Sequence, residues 1–228
     1  MALLLIIDTA AEQATIALAY NGTVLAQRQC TTQKEHASFV QPAIVELLQE
    51  AQQTLQQLDA VAVTIGPGSY TGLRVGLASA KGLCYALKKP LITISTLELW
   101  ALAGRNLLQQ QAWQAAYIIP LIDARRMEVF AAVYDAIGNE VMPPHAHILE
   151  TDSYAAQLAE GPVLFLGSGA TKWQSLCRHS HAHFSVTPYH AGHVCSLAEE
   201  RWQQQQFASL AYTAPLYVKS FYTTTGKA

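Results

Sequence analysis

Charged side chains are scarce in this 228-residue chain, where Asp, Glu, Lys and Arg together make up 13% of the residues. That is about half of the ~25% found in ordinary globular proteins. The net charge is −2, and no run of Lys and Arg occurs. The sequence therefore lacks the basic face with which a protein holds nucleic acid on its own, and such a role would need a partner that supplies positive charge.

Paired cysteines and long apolar runs are also missing. The four cysteines, at positions 30, 84, 177 and 195, form no C-x-x-C pair, which is typical of reduced thiols in a cytoplasmic protein.

No apolar run reaches the ~18 residues that a membrane helix needs. The opening MALLLIID has no basic flank and reaches Asp8 at once, so it predicts a buried strand rather than a signal peptide. We expect a cytoplasmic protein with no membrane contact.

The residues that are present alternate between strand and helix patterns. LLLIID, ATIALAY and TVLAQRQC are typical of strands, and Asn21-Gly22 between the last two predicts a hairpin. Apolar residues at spacings of three and four from His36 onwards predict an amphipathic helix over 36–56. The strand AVAVTIG, a helix over 69–87, the strand PLITIS and a further helix follow. This order predicts an α/β fold.

The second half repeats the pattern of the first. YIIPLIDARRMEVFAAVY, like the N-terminus, has an apolar strand that ends in Ile-Asp, a polar turn and an alternating strand that ends in Tyr. Helix and strand patterns then follow in the same order. Chance likeness of two hairpins is the alternative, but a duplication explains the whole order. We therefore predict two related lobes, at 1–110 and 111–228.

The glycine-rich segment TIGPGSYTGLRVGLASAKGL matches neither common nucleotide fingerprint. A Walker A loop needs a Lys after its last glycine, and the spacing of Gly66, Gly68 and Gly72 is one residue too long for both that loop and G-x-G-x-x-G. The small residues Gly72, Gly76 and Ala80 recur at every fourth position, which favours close approach of another helix. Internal packing and a subunit contact both fit this pattern.

We predict that helices 36–56 and 69–87 form a partner or dimer interface. The residues assigned to that interface are Phe39, Val40, Leu47, Leu73, Gly76 and Ala80.

Two aspartates end apolar strands in corresponding positions of the two halves. Asp8 and Asp123 suit Mg²⁺–nucleotide chemistry, and Gly167 and Gly169 in LGSGA could contact an adenosine. The turns after both aspartates lack the glycine that phosphate loops normally use, so capping of turns is the alternative. We interpret the four residues as a vestigial nucleotide cleft. The rival hypothesis is an ATPase or phosphotransferase that uses Asp8 and Asp123.

The histidines predict no metal site. On a strand, His179, His181 and His183 would share one face and could hold zinc, as in a peptidase, but only Cys195 is near enough in sequence to add a ligand. His36 lacks the second His at i+4 that a helical ligand pair needs, because that position is Val40. No Ser/His/Asp or Cys/His signature is present, and we assign no catalytic residue.

The segments IDTA, TIGPGSYTGLRVGLASAKGL, IDARRMEVFAAVY and APLYVKS, in this order, resemble the bacterial TsaB family of tRNA threonylcarbamoyladenosine biosynthesis proteins. The resemblance runs from Asp8 to about Lys219. It implies a duplicated actin/Hsp70-like (ASKHA) fold, with a mixed sheet and flanking helices in each lobe, in agreement with the internal repeat.

The resemblance also implies a function. It implies a non-catalytic scaffolding subunit that works with a TsaD-like catalytic subunit and a TsaE-like ATPase. The complex forms N6-threonylcarbamoyladenosine (t6A) beside the anticodon of tRNAs that read codons beginning with adenine. ATP then belongs to the partner subunits, tRNA is reached through the complex, and a homodimer is a further assembly. The catalytic paralogue carries a two-histidine metal site where this chain has His36 and Val40.

Overall fold

Residues 2–219 are described by the computed structural model, so Ser220 of the APLYVKS motif lies outside the described residues. The first half contains β1 (Leu3–Asp8), β2 (Ala14–Tyr20), β3 (Thr23–Cys30), α1 (His36–Glu50), β4 (Ala60–Gly66), α2 (Tyr70–Leu87), β5 (Leu91–Ser95) and α3 (Thr96–Gln110). The second half contains β6 (Tyr117–Asp123), β7 (Glu128–Asp135), β8 (Glu140–Ile148), α4 (Ala155–Glu160), β9 (Val163–Leu166), α5 (Ala170–Leu176), β10 (Ala182–Ser185) and α6 (Ala191–Gln203).

The two sheets have the same topology. The first has the strand order β3-β2-β1-β4-β5 and the second β8-β7-β6-β9-β10. In each sheet the first strand pairs antiparallel with the second and parallel with the fourth, and the fourth pairs parallel with the fifth. The duplicated two-lobe α/β fold predicted from the sequence is confirmed.

The last helix of each half crosses to the sheet of the other half. Helix α3 packs on β6, and its residues Leu97, Ala101 and Leu108 join the apolar cluster on the second sheet. Helix α6 packs on β1, β3 and β5, with Val194 and Ala198 in the cluster on the first sheet. The predicted boundary at 110/111 separates the two sheets, but this exchange means that neither half forms its core alone.

Helices α1 and α2 pack together on the other face of the first sheet. The apolar stripe of α1 faces the strands, which explains its spacing of three and four. The helix predicted over 36–56 ends at Glu50, and Pro42 lies inside it. No helix among residues 2–219 is long and apolar enough to cross a membrane.

Candidate functional site

A cleft of about 1090 Å³ lies between the two lobes. The ends of β1 and β6 reach it from opposite sides, so Asp8 and Asp123 both line it. The start of α2 and the loop before α6 add further walls, including Ser69 and Tyr189. The cleft therefore brings together the two aspartates that sequence reasoning paired.

The Asp8 carboxylate is buried and receives three hydrogen bonds from neighbouring groups. The Thr64 hydroxyl donates to its Oδ1 at 2.7 Å, and the backbone N–H of Ala10 donates to the same oxygen at 3.1 Å. The Tyr189 hydroxyl donates to Oδ2 at 2.9 Å. Burial raises the pKa of Asp8, although these hydrogen bonds act in the opposite direction. Internal donors thus occupy three of the about four lone-pair positions of the carboxylate, two on Oδ1 and one on Oδ2.

Asp123 sits in a more open setting. The Lys172 ammonium donates to its Oδ1 at 2.6 Å, and the Arg125 backbone N–H donates to the same oxygen at 2.6 Å. Burial pushes the pKa of Asp123 upwards, but the hydrogen bonds from Lys172 and Arg125 outweigh it and lower the pKa. Its own N–H donates to Ser168 Oγ at 3.0 Å. Asp123 therefore caps its turn and forms an ion pair with α5.

The glycines of the 64–83 segment allow α2 to approach the turn that follows β1. A Cβ added at Gly68 would lie 2.2 Å from the Ala10 carbonyl oxygen, and one at Gly72 would lie 2.1 Å from that of Thr9. At Gly76 it would lie 2.3 Å from Thr9 Oγ1, which donates to the Gly72 carbonyl at 2.7 Å. The glycine face of α2 therefore packs on the β1–β2 turn of the same lobe.

Gly167 and Gly169 are also required by packing. A Cβ at Gly167, where φ is +102°, would lie 2.5 Å from the Leu121 carbonyl oxygen. A Cβ at Gly169 would lie 2.7 Å from Val129 Cγ1, and the Gly169 N–H donates to the Leu121 carbonyl at 2.8 Å. These glycines hold the β9–α5 turn against β6. Neither appears among the residues that line the cleft, whereas Ser168 between them does.

The residues assigned to an interface lie mostly inside the lobe. Val40, Leu47, Leu73, Gly76 and Ala80 are buried, and Phe39 is half-buried against the same core. The physical reason is that the stripe which contains them faces the sheet and the β1–β2 turn. A partner that docks on α1 and α2 would touch other side chains, such as Val45 and Tyr85, which are 54% and 81% exposed.

The histidines of the second half differ in their contacts, although the backbone N–H of His181 donates to Nδ1 of His179 at 3.2 Å. Nδ1 of His181 contacts the Leu158 carbonyl at 2.9 Å, and the His183 ring packs on Trp113 at 4.4 Å. Only His183 lies in β10, so the H-x-H-x-H segment is not one strand face. His190 instead caps α6, with its Nδ1 accepting from Gly192 N–H. Within residues 2–219, no group of three or more His, Cys, Asp or Glu side chains is placed to hold a metal ion.

His36 lines the cleft at the start of α1 and is buried. Its Nε2 lies 3.1 Å from the Glu12 carbonyl oxygen, and its Nδ1 has no hydrogen-bond partner. Val40, one turn later, is fully buried in the core. The helix therefore presents one imidazole where a metal site would need two.

Sequence reasoning missed Tyr189, Thr64 and Lys172 as partners of the two aspartates. Thr64 lies on β4, the parallel neighbour of β1, so its proximity to Asp8 follows from the strand order. Tyr189 and Lys172 are separated from their partners by 181 and 49 positions, and no local pattern marks them.

Known proteins share both the sequence and the fold. The model of the family TsaD, tRNA N6-adenosine threonylcarbamoyltransferase, matches residues 8–187. The tRNA threonylcarbamoyladenosine biosynthesis protein TsaB of Bacillus subtilis is 34% identical over 167 residues, which cover 72% of this chain and 70% of that protein. The TsaB protein of Escherichia coli is 31% identical over 188 residues, with coverages of 78% and 76%.

The solved structure of YeaZ from Pseudomonas aeruginosa is similar to this chain with a TM-score of 0.77 at 26% identity, over 95% of this chain and 100% of that one. The resemblance found in the sequence is thus confirmed by the family model, by relatives that cover most of the chain and by a common fold. The chain belongs to the tRNA N6-adenosine threonylcarbamoyltransferase family and, within it, to the TsaB group.

Proposed function

We propose that this chain takes part in the biosynthesis of t6A in tRNA, as a non-catalytic scaffolding subunit. The modified adenosine lies next to the anticodon of tRNAs that read codons beginning with adenine. Membership of the TsaB group, over most of the chain, supports the pathway.

The proposal that this chain is non-catalytic rests on the internal hydrogen bonds of the two cleft carboxylates. Asp8 receives three internal hydrogen bonds and Asp123 forms an ion pair with Lys172. Catalysis with Mg²⁺ and a nucleotide needs carboxylate oxygens that are free to bind the metal or its waters. His36, as the lone imidazole at the start of α1, offers no pair of ligands there. This arrangement disfavours the rival ATPase or phosphotransferase.

The proposed partners supply what this chain lacks. A TsaD-like subunit would carry the transfer reaction, a TsaE-like ATPase would use the ATP, and tRNA would be reached through the complex. This chain would need no cofactor of its own, and without its partner it would form a homodimer. We place the assembly in the cytoplasm, where the tRNA substrate is found.

The proposed docking surface is the outer side of α1 and α2. Val45 and Tyr85 are the most exposed large apolar side chains of these two helices, and exposed apolar groups of this kind anchor protein interfaces. The buried stripe beneath them makes the two helices a rigid platform. We therefore still assign the interface to α1 and α2, but with Val45 and Tyr85 as the contact residues in place of the buried ones.

Co-purification with a TsaD-like subunit tests the surface. Val45→Glu combined with Tyr85→Glu should abolish the complex, whereas Val186→Glu, which changes a valine that is 73% exposed in the second half, should leave it intact. Full recovery of the complex with the double variant would reject the surface.

Reconstitution tests the role. Formation of t6A on tRNA should require this chain together with its partners, and the chain alone should form none. The variants Asp8→Asn and Asp123→Asn, if folded, should support the reconstituted reaction at the wild-type rate. Isothermal titration with Mg-ATP should show no sub-millimolar binding to the lone chain. Such binding, abolished by Asp123→Asn, would favour the rival phosphotransferase instead.

A further inference from the structure

The described part of the tail motif, residues 214–219, forms a segment that the proposed function does not use. Residues 213–219, here called the C-terminal strap, run along α2 towards its N-terminus. Lys81 Nζ donates to the Thr213 carbonyl at 3.1 Å, and the Leu216 N–H donates to the Ile65 carbonyl, near the end of β4, at 2.7 Å. The strap is therefore held to the first lobe at two places.

Tyr217 strengthens that attachment. Its hydroxyl lies 2.9 Å from Nε of Arg74, which donates to it. The Arg74 guanidinium sits 4.0 Å from the centre of the Tyr70 ring, and the Tyr70 and Tyr217 rings are 5.7 Å apart. Cation–π and aromatic contacts of this type each add attraction beyond the hydrogen bond.

The end of the strap reaches the second lobe. Lys219 Nζ donates to both carboxylate oxygens of Glu128 at 2.9 Å, and Glu128 is the first residue of β7. The strap thus links α2 of one lobe to the β6–β7 hairpin of the other. No strap residue belongs to the apolar clusters that α3 and α6 form with the sheets, so this link between the lobes is separate from the exchanged helices.

The strap also closes one side of the interlobe space. A cavity of about 390 Å³ lies between Leu216–Lys219 of the strap, the start of α2 and Phe130 of β7. Pro67, Gly68, Ala124 and Phe130 line both this cavity and the cleft, so the two spaces are adjacent. Separation of the strap from either lobe would widen the cleft at this end.

We propose that the C-terminal strap is a clamp that sets the separation of the two lobes at the cleft. The strap contacts at Ile65 and Arg74 anchor it to the first lobe, and the Lys219–Glu128 ion pair fastens it to the second. The clamp does not depend on the proposed function, because it rests on contacts within one chain.

The distance between the lobes, measured by pulsed electron paramagnetic resonance on the full chain, tests the clamp. Nitroxide labels would be placed through Gln49→Cys on α1 and Ala156→Cys on α4, both exposed positions, in a Cys30→Ser background. We expect a narrow distribution for the otherwise wild-type chain. Tyr217→Ala with Lys219→Glu should broaden the distribution and shift its mean to longer distances. The two changes together remove the Tyr217–Arg74 hydrogen bond and replace the ion pair with Glu128 by two like charges.

Two controls make the result specific to the strap. Tyr212→Ala, which removes a tyrosine that is 88% exposed just before the strap, should keep the wild-type distribution. Lys219→Glu combined with Glu128→Lys, which restores an ion pair of reversed polarity, should give a distribution narrower than Lys219→Glu alone. An unchanged distribution in the Tyr217→Ala, Lys219→Glu variant, with wild-type circular dichroism, would overturn the clamp. So would equal distributions for Lys219→Glu with and without the charge reversal.

Discussion

The Tyr189 hydroxyl donates a 2.9 Å hydrogen bond to Oδ2 of Asp8, although the two residues lie 181 positions apart. Tyr189 precedes α6, the helix that crosses from the second half to the first sheet. Its ring meets Trp100 of α3 edge-on at 5.3 Å. The residue that precedes α6 therefore covers the end of β1. Asp8, which lines the cleft, is thus also part of the packing between the two halves.

Loss of this hydrogen bond should destabilise the fold. Tyr189→Phe removes one of three donors to a buried carboxylate, and we expect the free energy of unfolding to fall by about 1–3 kcal/mol in urea denaturation. Tyr212→Phe, on a side chain that is 88% exposed, serves as the matched control and should cost nothing measurable. Equal stability of the two variants would show that the Tyr189–Asp8 bond has no net effect.

Asp8 should make the protein less stable as the pH rises. Burial raises its pKa in the folded state above the ordinary 3.8, so the folded chain binds this proton more tightly than the unfolded chain. That contribution is complete below 3.8 and is lost as the pH rises through the folded pKa. Relative to Asp8→Asn, the free energy of unfolding of the wild type should therefore decrease as the pH rises above the ordinary pKa of 3.8. A difference that grows with pH would contradict the direction of the shift.

Asp123, in contrast to Asp8, should make the protein less stable as the pH falls. Its lowered pKa means that the folded state prefers the charged carboxylate, so its contribution is present above the ordinary 3.8 and is lost as the pH falls through the folded pKa. The side chain is 41% exposed, and solvent screening should limit the effect to about 0.5 kcal/mol. Comparison of wild type and Asp123→Asn by chemical denaturation at neutral and acidic pH measures it. If the free energy of unfolding fell more at acidic pH in Asp123→Asn than in the wild type, the predicted direction would be wrong.

The glycines of α2 should differ sharply in their tolerance of a methyl group. Gly72→Ala would place a Cβ 2.1 Å from the Thr9 carbonyl oxygen and should destabilise the protein by about 1–3 kcal/mol. Gly82 has nothing within 4 Å of the corresponding point, so Gly82→Ala should stabilise it by about 0.5–1 kcal/mol through its better helix propensity. Thermal or urea unfolding gives both values. Similar changes in the free energy of unfolding at the two positions would argue against close packing of α2 on the β1–β2 turn.

The four thiols should react at different rates. Burial raises the pKa of Cys84 to about 11 and that of Cys195 to about 12, which leaves almost no thiolate at neutral pH. Cys30 is half-buried on β3, whereas Cys177 is buried. In the native state we expect one thiol to react fast with a disulfide reagent, and Cys30→Ser should abolish this reaction. The other three thiols should react only after the protein unfolds. Fast labelling of Cys84 or Cys195 would contradict their burial.

The sequence predicted the elements of the fold because their signals are local. Strand alternation, the helix spacing from His36 and the Asn21-Gly22 turn depend on neighbouring residues, and the repeated Ile-Asp ends revealed the two lobes. The duplication also explains why the two sheets have the same strand order. The prediction that two aspartates meet at one cleft followed from the same symmetry.

The tertiary structure decided what covers each face. An apolar stripe shows only that a helix face is covered, and Val40, Leu47 and Gly76 are covered by their own lobe rather than offered to a partner. Tyr189 reaches Asp8 because α6 crosses between the lobes, which no local pattern encodes. The sequence by itself therefore determined the elements, their duplication and the family. Only long-range packing decided that the carboxylates of the cleft are engaged and that the glycine face of α2 is internal.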